Sequence, residues 1–171
     1  MADSTNSGYT VPGLSLTEGR SVADELQHRL HALNDLHLTL KHAHWNVVGP
    51  NFIAVHEMLD PQVELVRGYA DELAERIATL GAEPIGTPGA LVKDRTWDDY
   101  AVGRASTQEH LTALDHVYTG VVEDHRKAIK AVGDVDPMTE DILIGQTAEL
   151  EKFQWFVRAH LENNAGQVQG A

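Results

Sequence analysis

Two pairs of side chains have the types and spacing of metal ligands: His56 with Asp60, and Asp71 with Glu75. On one helix, at ~100° per residue, all four fall within an arc of about 100°, while a rise of ~1.5 Å per residue sets the inner carboxylates about 16 Å apart along the axis. No single ion can touch both pairs on one chain. A second copy of the helix, antiparallel about a two-fold axis near Leu65 and Val66, brings His56 and Asp60 of one chain opposite Asp71 and Glu75 of the other. A two-fold contact is self-complementary, so it creates a pair of equivalent sites in each dimer. The spacing therefore predicts a metal site made by assembly. Imidazole and carboxylate donors without sulfur suit Fe, Mn or Zn, and the spacing does not choose among them. His44, one short connection upstream, is the expected second imidazole, whereas His42 lies about 200° around its helix and should face elsewhere. A solvated helix face would carry similar residues, and Glu64, Arg67 and Glu72 beside the stripe are of that ordinary kind.

The elements that must position these groups read as helices. From Ser21, the expected N-cap, Val22, Leu26, Leu30, Leu33, Leu36 and Leu40 recur at threes and fours, giving a first helix that ends near Val47. Gly49 and Pro50 mark the break, and a second helix runs from about Asn51 to Leu80, with Gly81 as its stop. Pro61 falls inside it and removes a backbone hydrogen bond, so a kink near Val55 to Asp60 is expected; a split into two helices at Pro61 is the competing reading. Residues 81–105 hold Gly81, Pro84, Gly86, Pro88 and Gly89 and read as a long crossover with a short helix over Pro88 to Lys93. A third long helix spans Ser106 to Val132 and a fourth spans Met138 to Asn163, with no competing strand signal. Four helices with one long central crossover describe an all-α, ferritin-like bundle. Residues 1–16 and 164–171 read as flexible tails flanking one domain over 17–163.

Composition narrows the chemistry. The 171 residues, 42% hydrophobic with 14 Gly and 6 Pro, suffice for one domain with a substantial core. Thirteen basic against 26 acidic side chains leave a formal charge of −13, which disfavours phosphate backbones and favours attraction of cations. There is no cysteine, which excludes disulfides, thiolate metal sites and a cysteine nucleophile. The first residues have neither the basic start nor the apolar run of a signal peptide, and no stretch approaches the ~20 apolar residues of a membrane span. A cytoplasmic protein without a membrane partner is expected.

His44, Trp45 and Asn46, then Gly49, Phe52, His56, Asp60, Asp71, Ala74, Glu75 and Arg76, resemble the signature of the Dps family (DNA-binding proteins from starved cells), a dodecameric branch of the ferritin-like proteins. The resemblance spans roughly residues 20 to 162 and includes Lys152, Phe153, Gln154, Trp155 and Phe156 of the last helix. It implies a ferroxidase centre at a two-fold interface, where His44, His56 and Asp60 of one subunit face Asp71 and Glu75 of the next. There Fe(II) would be bound as substrate at a diiron or mononuclear-plus-water centre and oxidised, preferentially by hydrogen peroxide. The ferric mineral would be stored inside a hollow homo-oligomeric shell, protecting the cell from oxidative damage. A diiron site within one bundle needs two Glu-x-x-His motifs on separate helices, and the sequence holds one, Glu25 to His28.

The same resemblance makes Glu123, Asp124, Asp134 and Asp136 candidates for acidic pores that draw Fe(II) inward; a solvated turn is the plainer role. Trp45 follows a candidate ligand, and core packing is the ordinary use of such a ring, shaping the pocket the alternative. DNA binding is expected to be weak or absent, because no Lys or Arg precedes Arg20 and no charged residue follows Glu162. Two other functions compete with iron oxidation: nucleoid coating, and hydrolysis by water activated at the same metal ligands.

Overall fold

The computed structural model describes residues 8–162. It contains α1 (Leu16–Asn46), β1 (Val47–Val48), α2 (Phe52–Thr79), α3 (Pro88–Asp94), β2 (Ala105–Ser106), α4 (Thr107–Val132) and α5 (Pro137–Leu161). α1 packs along α2, α4 along α5, and α1 against α4 closes the bundle. The expected all-α, ferritin-like architecture is what forms, with the short α3 in the crossover between α2 and α4.

α1 begins earlier than Ser21 because Ser15 and Glu18 make a capping box: the Glu18 amide donates to Ser15 Oγ at 3.2 Å, and the Ser15 amide donates to Glu18 Oε2 at 2.7 Å. Two of the helix's unpaired amides are satisfied reciprocally, worth about 1 kcal/mol. Ser106 and Glu109 repeat the device at the start of α4. At the other ends, Gly49 (φ 112°) and Gly81 (φ 86°) supply left-handed turns after α1 and α2, a conformation that a Cβ disfavours.

The chain passes Pro61 within one continuous helix, so no split occurs there. Pro in a helix interior costs about 3 kcal/mol. Val55, Leu59, Val63 and Val66 around it are buried in the core, and each such side chain returns about 1.5–3 kcal/mol on burial. The core continues through Leu26, Leu33, Leu40, Leu73, Leu114, Leu143 and Leu150.

Two further features differ from the sequence expectation. β1 and β2 pair in parallel, Val47 with Ala105 and Val48 with Ser106, which fixes the end of α1 beside the start of α4. Strands of two residues leave no periodicity to read. Within the expected N-terminal tail, residues 1–7 lie outside the described residues, but Val11 and Leu14 pack against the core. The 164–171 tail also lies outside them.

The N-terminal segment is seated on Gly19. A Cβ there would fall into Thr10 Oγ1 and stand 3.4 Å from the Leu80 carbonyl oxygen. Alanine ordinarily favours a helix over glycine by about 1 kcal/mol, but here the overlap should reverse the sign. Gly19→Ala is expected to lower stability by about 1–2 kcal/mol and to speed cleavage of the segment. Thermal midpoints and timed limited proteolysis check this.

Candidate metal centre

The end of α1 and the first turns of α2 bring His44 and His56 together. Their rings stack with centroids 3.6 Å apart and an interplanar angle of 23°. His44 Nδ1 lies 2.9 Å from the His56 carbonyl oxygen, and His56 Nδ1 lies 2.9 Å from the His44 carbonyl oxygen. A carbonyl oxygen only accepts, so each Nδ1 carries the proton and donates it. In the neutral rings this assigns the free lone pairs to both Nε2 atoms. A ligating imidazole held through its other nitrogen is fixed in tautomer and orientation, which is the arrangement a metal requires. Phe52, one turn before His56, stands with its ring 4.9 Å from the imidazole and supports its outer side.

Asp60 joins this pair. Its Oδ1 is 3.2 Å from His44 Nδ1 and accepts a hydrogen bond from Lys41 Nζ at 2.7 Å. That bond, together with the charge of Lys41, holds the Asp60 carboxyl below the usual carboxylate range. Sequence reasoning missed Lys41, although its position one turn before His44 was the available signal. In this arrangement the ammonium occupies a carboxylate oxygen that a cation would use. Among the described residues, no three His, Asp or Glu side chains are arranged to hold a metal ion. As a test of Asp60 as an Fe(II) ligand, Lys41→Met, which frees its carboxylate and removes a positive charge from the neighbourhood, is expected to raise Fe(II) affinity about two- to fivefold, the scale of a half-exposed ion pair. Anaerobic Fe(II) titration measures it; unchanged or weaker affinity would show that Lys41 orients Asp60 rather than competing for it.

Asp71 and Glu75 lie further along α2, and both are exposed. Among the described residues neither carboxylate has a hydrogen-bond or ion-pair partner. Asp71 borders a groove of about 560 Å³ on the α1 and α2 side of the bundle, with Leu30, Asn34, Arg67 and Pro84 among its walls. The structure thus gathers His44, His56 and Asp60 at one place and leaves Asp71 and Glu75 at another. His42 faces away as expected, its Nε2 2.9 Å from the Val102 carbonyl oxygen.

The remaining candidates separate. Trp45 is 70% exposed, so core packing within its own chain is not its role. Glu123 and Asp134 are exposed. Asp124 is half-buried, holding Lys127 Nζ at 2.8 Å with Arg29 Nη1 3.7 Å away. Asp136 does not suit a pore: it is 4% exposed and accepts from Arg76 Nη2 at 2.6 Å and from Thr139 Oγ1. Burial alone would raise its carboxyl pKa, but the hydrogen bonds from Thr139 and Arg76 prevail and hold it below the usual range. Its partner Arg76 stands on α2, so only the fold reveals why the acid is withdrawn from the surface.

The ferritin-like domain family matches residues 23–165. The DNA protection during starvation protein of Mycolicibacterium smegmatis is 67% identical over 160 residues, 94% of this chain and 87% of the relative. This chain belongs to the Dps family. Among solved Dps-family structures, DpsA14 from Streptomyces coelicolor superposes with a TM-score of 0.94 at 61% identity, covering 96% of this chain and 98% of that one. Dps from Microbacterium arborescens in the high iron form gives 0.82 at 31% identity, covering 91% and 100%. No helix among the described residues is long and apolar enough to cross a membrane.

Proposed function

We propose that this chain is the subunit of a homo-oligomeric ferroxidase that oxidises Fe(II) at sites shared between two chains and stores the ferric product. The observation that carries the reading is the reciprocal lock of His44 and His56. It commits both Nδ1 atoms inward, while Asp71 and Glu75 stand exposed and unpaired on the same helix. A two-fold pairing of α2 unites the halves, with His44, His56 and Asp60 from one protomer and Asp71 and Glu75 from its partner. A closed shell of such dimers, a dodecamer in this family's pattern, gives the product an interior to fill. The high iron form of the Microbacterium arborescens relative supports iron as the substrate.

The residues divide the work. His44 and His56 supply neutral nitrogen donors that suit Fe(II). Asp60, Asp71 and Glu75 supply negative oxygen, which favours the harder Fe(III) and so lowers the cost of losing an electron. With hydrogen peroxide as oxidant, two Fe(II) give one electron each; the O–O bond breaks, two protons are taken up, and two waters form with two Fe(III). Delivery of both electrons together leaves no hydroxyl radical. The formal charge of −13 per chain draws Fe(II) in and, like the missing basic residues before Arg20, opposes coating of DNA. Protection of DNA would then come from removal of iron and peroxide.

The test is Fe(II) oxidation by peroxide under anaerobic conditions, with a spin trap for hydroxyl radical and a DNA gel shift at low salt alongside. Rapid oxidation, a soluble ferric product, little trapped radical and unretarded DNA are expected. Oxidation no faster than in buffer, with precipitated iron, would overturn the reading.

A further inference from the structure

The start of the crossover is fastened to α1 by a side-chain amide. Gln27 Oε1 accepts from the Ile85 amide at 2.8 Å, and Gln27 Nε2 donates to the Ile85 carbonyl oxygen at 2.8 Å. This two-way fork settles which end of the Gln27 amide is oxygen and which is nitrogen. Residues 85–87 are exposed, so core packing does not hold them. Pro84 and Gly86 of the same stretch wall the groove that Asp71 borders.

The other hydrogen of Gln27 Nε2 is directed at His31, whose Nε2 lies 3.1 Å away. An amide NH₂ only donates, so His31 Nε2 accepts and the neutral ring carries its proton on Nδ1. His31 is 2% exposed, and its Nδ1 has no hydrogen-bond partner among the described residues, so no bond on that side anchors the ring. On α3, Asp94 Oδ2 stands 3.9 Å from the same Nε2. Against a neutral ring this carboxylate sets acceptor facing acceptor. Against a protonated ring it becomes an ion-pair partner, while the Gln27 NH₂ becomes a donor facing a donor. One proton on Nε2 therefore reverses both contacts. Burial keeps the ring's pKa below the ordinary histidine value; Asp94 opposes that shift, and His28, one turn earlier on α1, adds to it. Asp35, one turn later, is committed to Trp97 Nε1 and stands 3.9 Å from Arg95 Nη1.

We propose that His31 is a proton-operated latch on residues 82–87. Neutral, it steadies the Gln27 fork; protonated, it pairs with Asp94, and Gln27 releases Ile85, which frees one wall of the groove beside Asp71. The bearing of the latch on iron oxidation rests on the reading of Asp71 as a ligand, whereas the latch itself stands on the Gln27, His31 and Asp94 geometry alone.

Hydrogen exchange of the assembled protein, read at the Ile85 amide and corrected for the intrinsic pH dependence of exchange, tests the latch independently of ferroxidase activity. Protection of this amide is expected to fall about tenfold or more between neutral pH and about pH 5. His31→Gln keeps an acceptor beside Gln27 and removes the titration, so its protection should change by less than about twofold over the same range. Asp94→Asn removes the attracting charge and should move the fall to lower pH. Where His31→Gln fails to assemble, Asp94→Asn decides. Constant protection in the parent, a fall in His31→Gln equal to the parent's, or a fall at unchanged pH in Asp94→Asn would each overturn the proposal.

Discussion

His56→Ala is expected to slow Fe(II) oxidation by about 100-fold or more, and Asp71→Ala to cause a loss of the same size. The equality is the informative part, because on one chain these residues lie about 22 Å apart along α2. In a two-fold assembly every site takes His56 from one protomer and Asp71 from the other, so each substitution damages every site. The double variant should then be little slower than either single one, since groups acting as one unit are strongly non-additive. Separate sites would show different losses that compound in the double variant. Stopped-flow oxidation of Fe(II) by peroxide with all three variants distinguishes these patterns, and size measurements confirm that assembly persists. His56→Ala also deprives the His44 carbonyl of its donor and removes the stacked ring, so a local structural cost accompanies the lost ligand. Asp71→Ala has no such cost, because the Asp71 carboxylate has no partner among the described residues.

The second large effect concerns acid stability. His125 on α4 is fully buried, its Nδ1 donating to the Val121 carbonyl oxygen at 3.0 Å. Burial, and then the charge of Arg29 from α1, push its pKa down to about 4; Asp124 on its own helix and Gln146 on α5 oppose the shift. The unfolded chain takes up this proton near the ordinary histidine value of 6.5, whereas the folded chain resists it until about 4. Between those values the unfolded state binds more protons, so stability falls as pH drops through the window and no penalty is present above it. Over the whole window the loss is about 3 kcal/mol per chain. His31, His37 and His110 are shifted down by burial in the same sense, so the wild-type slope alone would not isolate His125. His125→Gln keeps a polar side chain of similar reach beside Gln146 and removes the titration. Denaturant midpoints measured from neutral pH to about pH 4.5 should converge between variant and parent as acid is added. Parallel curves would show that His125 is not the group that resists protonation.

Much of this architecture can be read in the chain because local chemistry dictates it. Gly49 and Gly81 stop α1 and α2 where left-handed turns are needed, and Ser106 with Glu109 starts α4. The i, i+4 pairing of His56 with Asp60 and of Asp71 with Glu75 follows from helical geometry once α2 is continuous. Other features depend on contacts between distant segments. Asp136 has the look of a surface acid until the fold brings Arg76 of α2 to it. Lys41 and Asp60 meet only because α1 and α2 fold back on each other. The earlier start of α1 was available in Ser15 and Glu18, a readable capping box, but the apolar period from Val22 onward obscured it. Trp45 lies on a helix whose buried face is elsewhere, and its type alone gave no hint of its exposure. Pro61 inside a long helix is the converse case: a local rule is outweighed by the buried residues that flank it.

The most direct measurement of the shared-site claim is complementation between two inactive chains. His56→Ala and Asp71→Ala chains, carrying different tags, are co-expressed and the mixed assemblies purified through both. In a mixed dimer one site combines both defects, while the other takes the intact His56 of one chain and the intact Asp71 of its partner. Random pairing makes about half of the dimers mixed, each with one sound site of its two, so about a quarter of the parental fast oxidation should return. No recovery above that of the separate variants would contradict a site built from two chains.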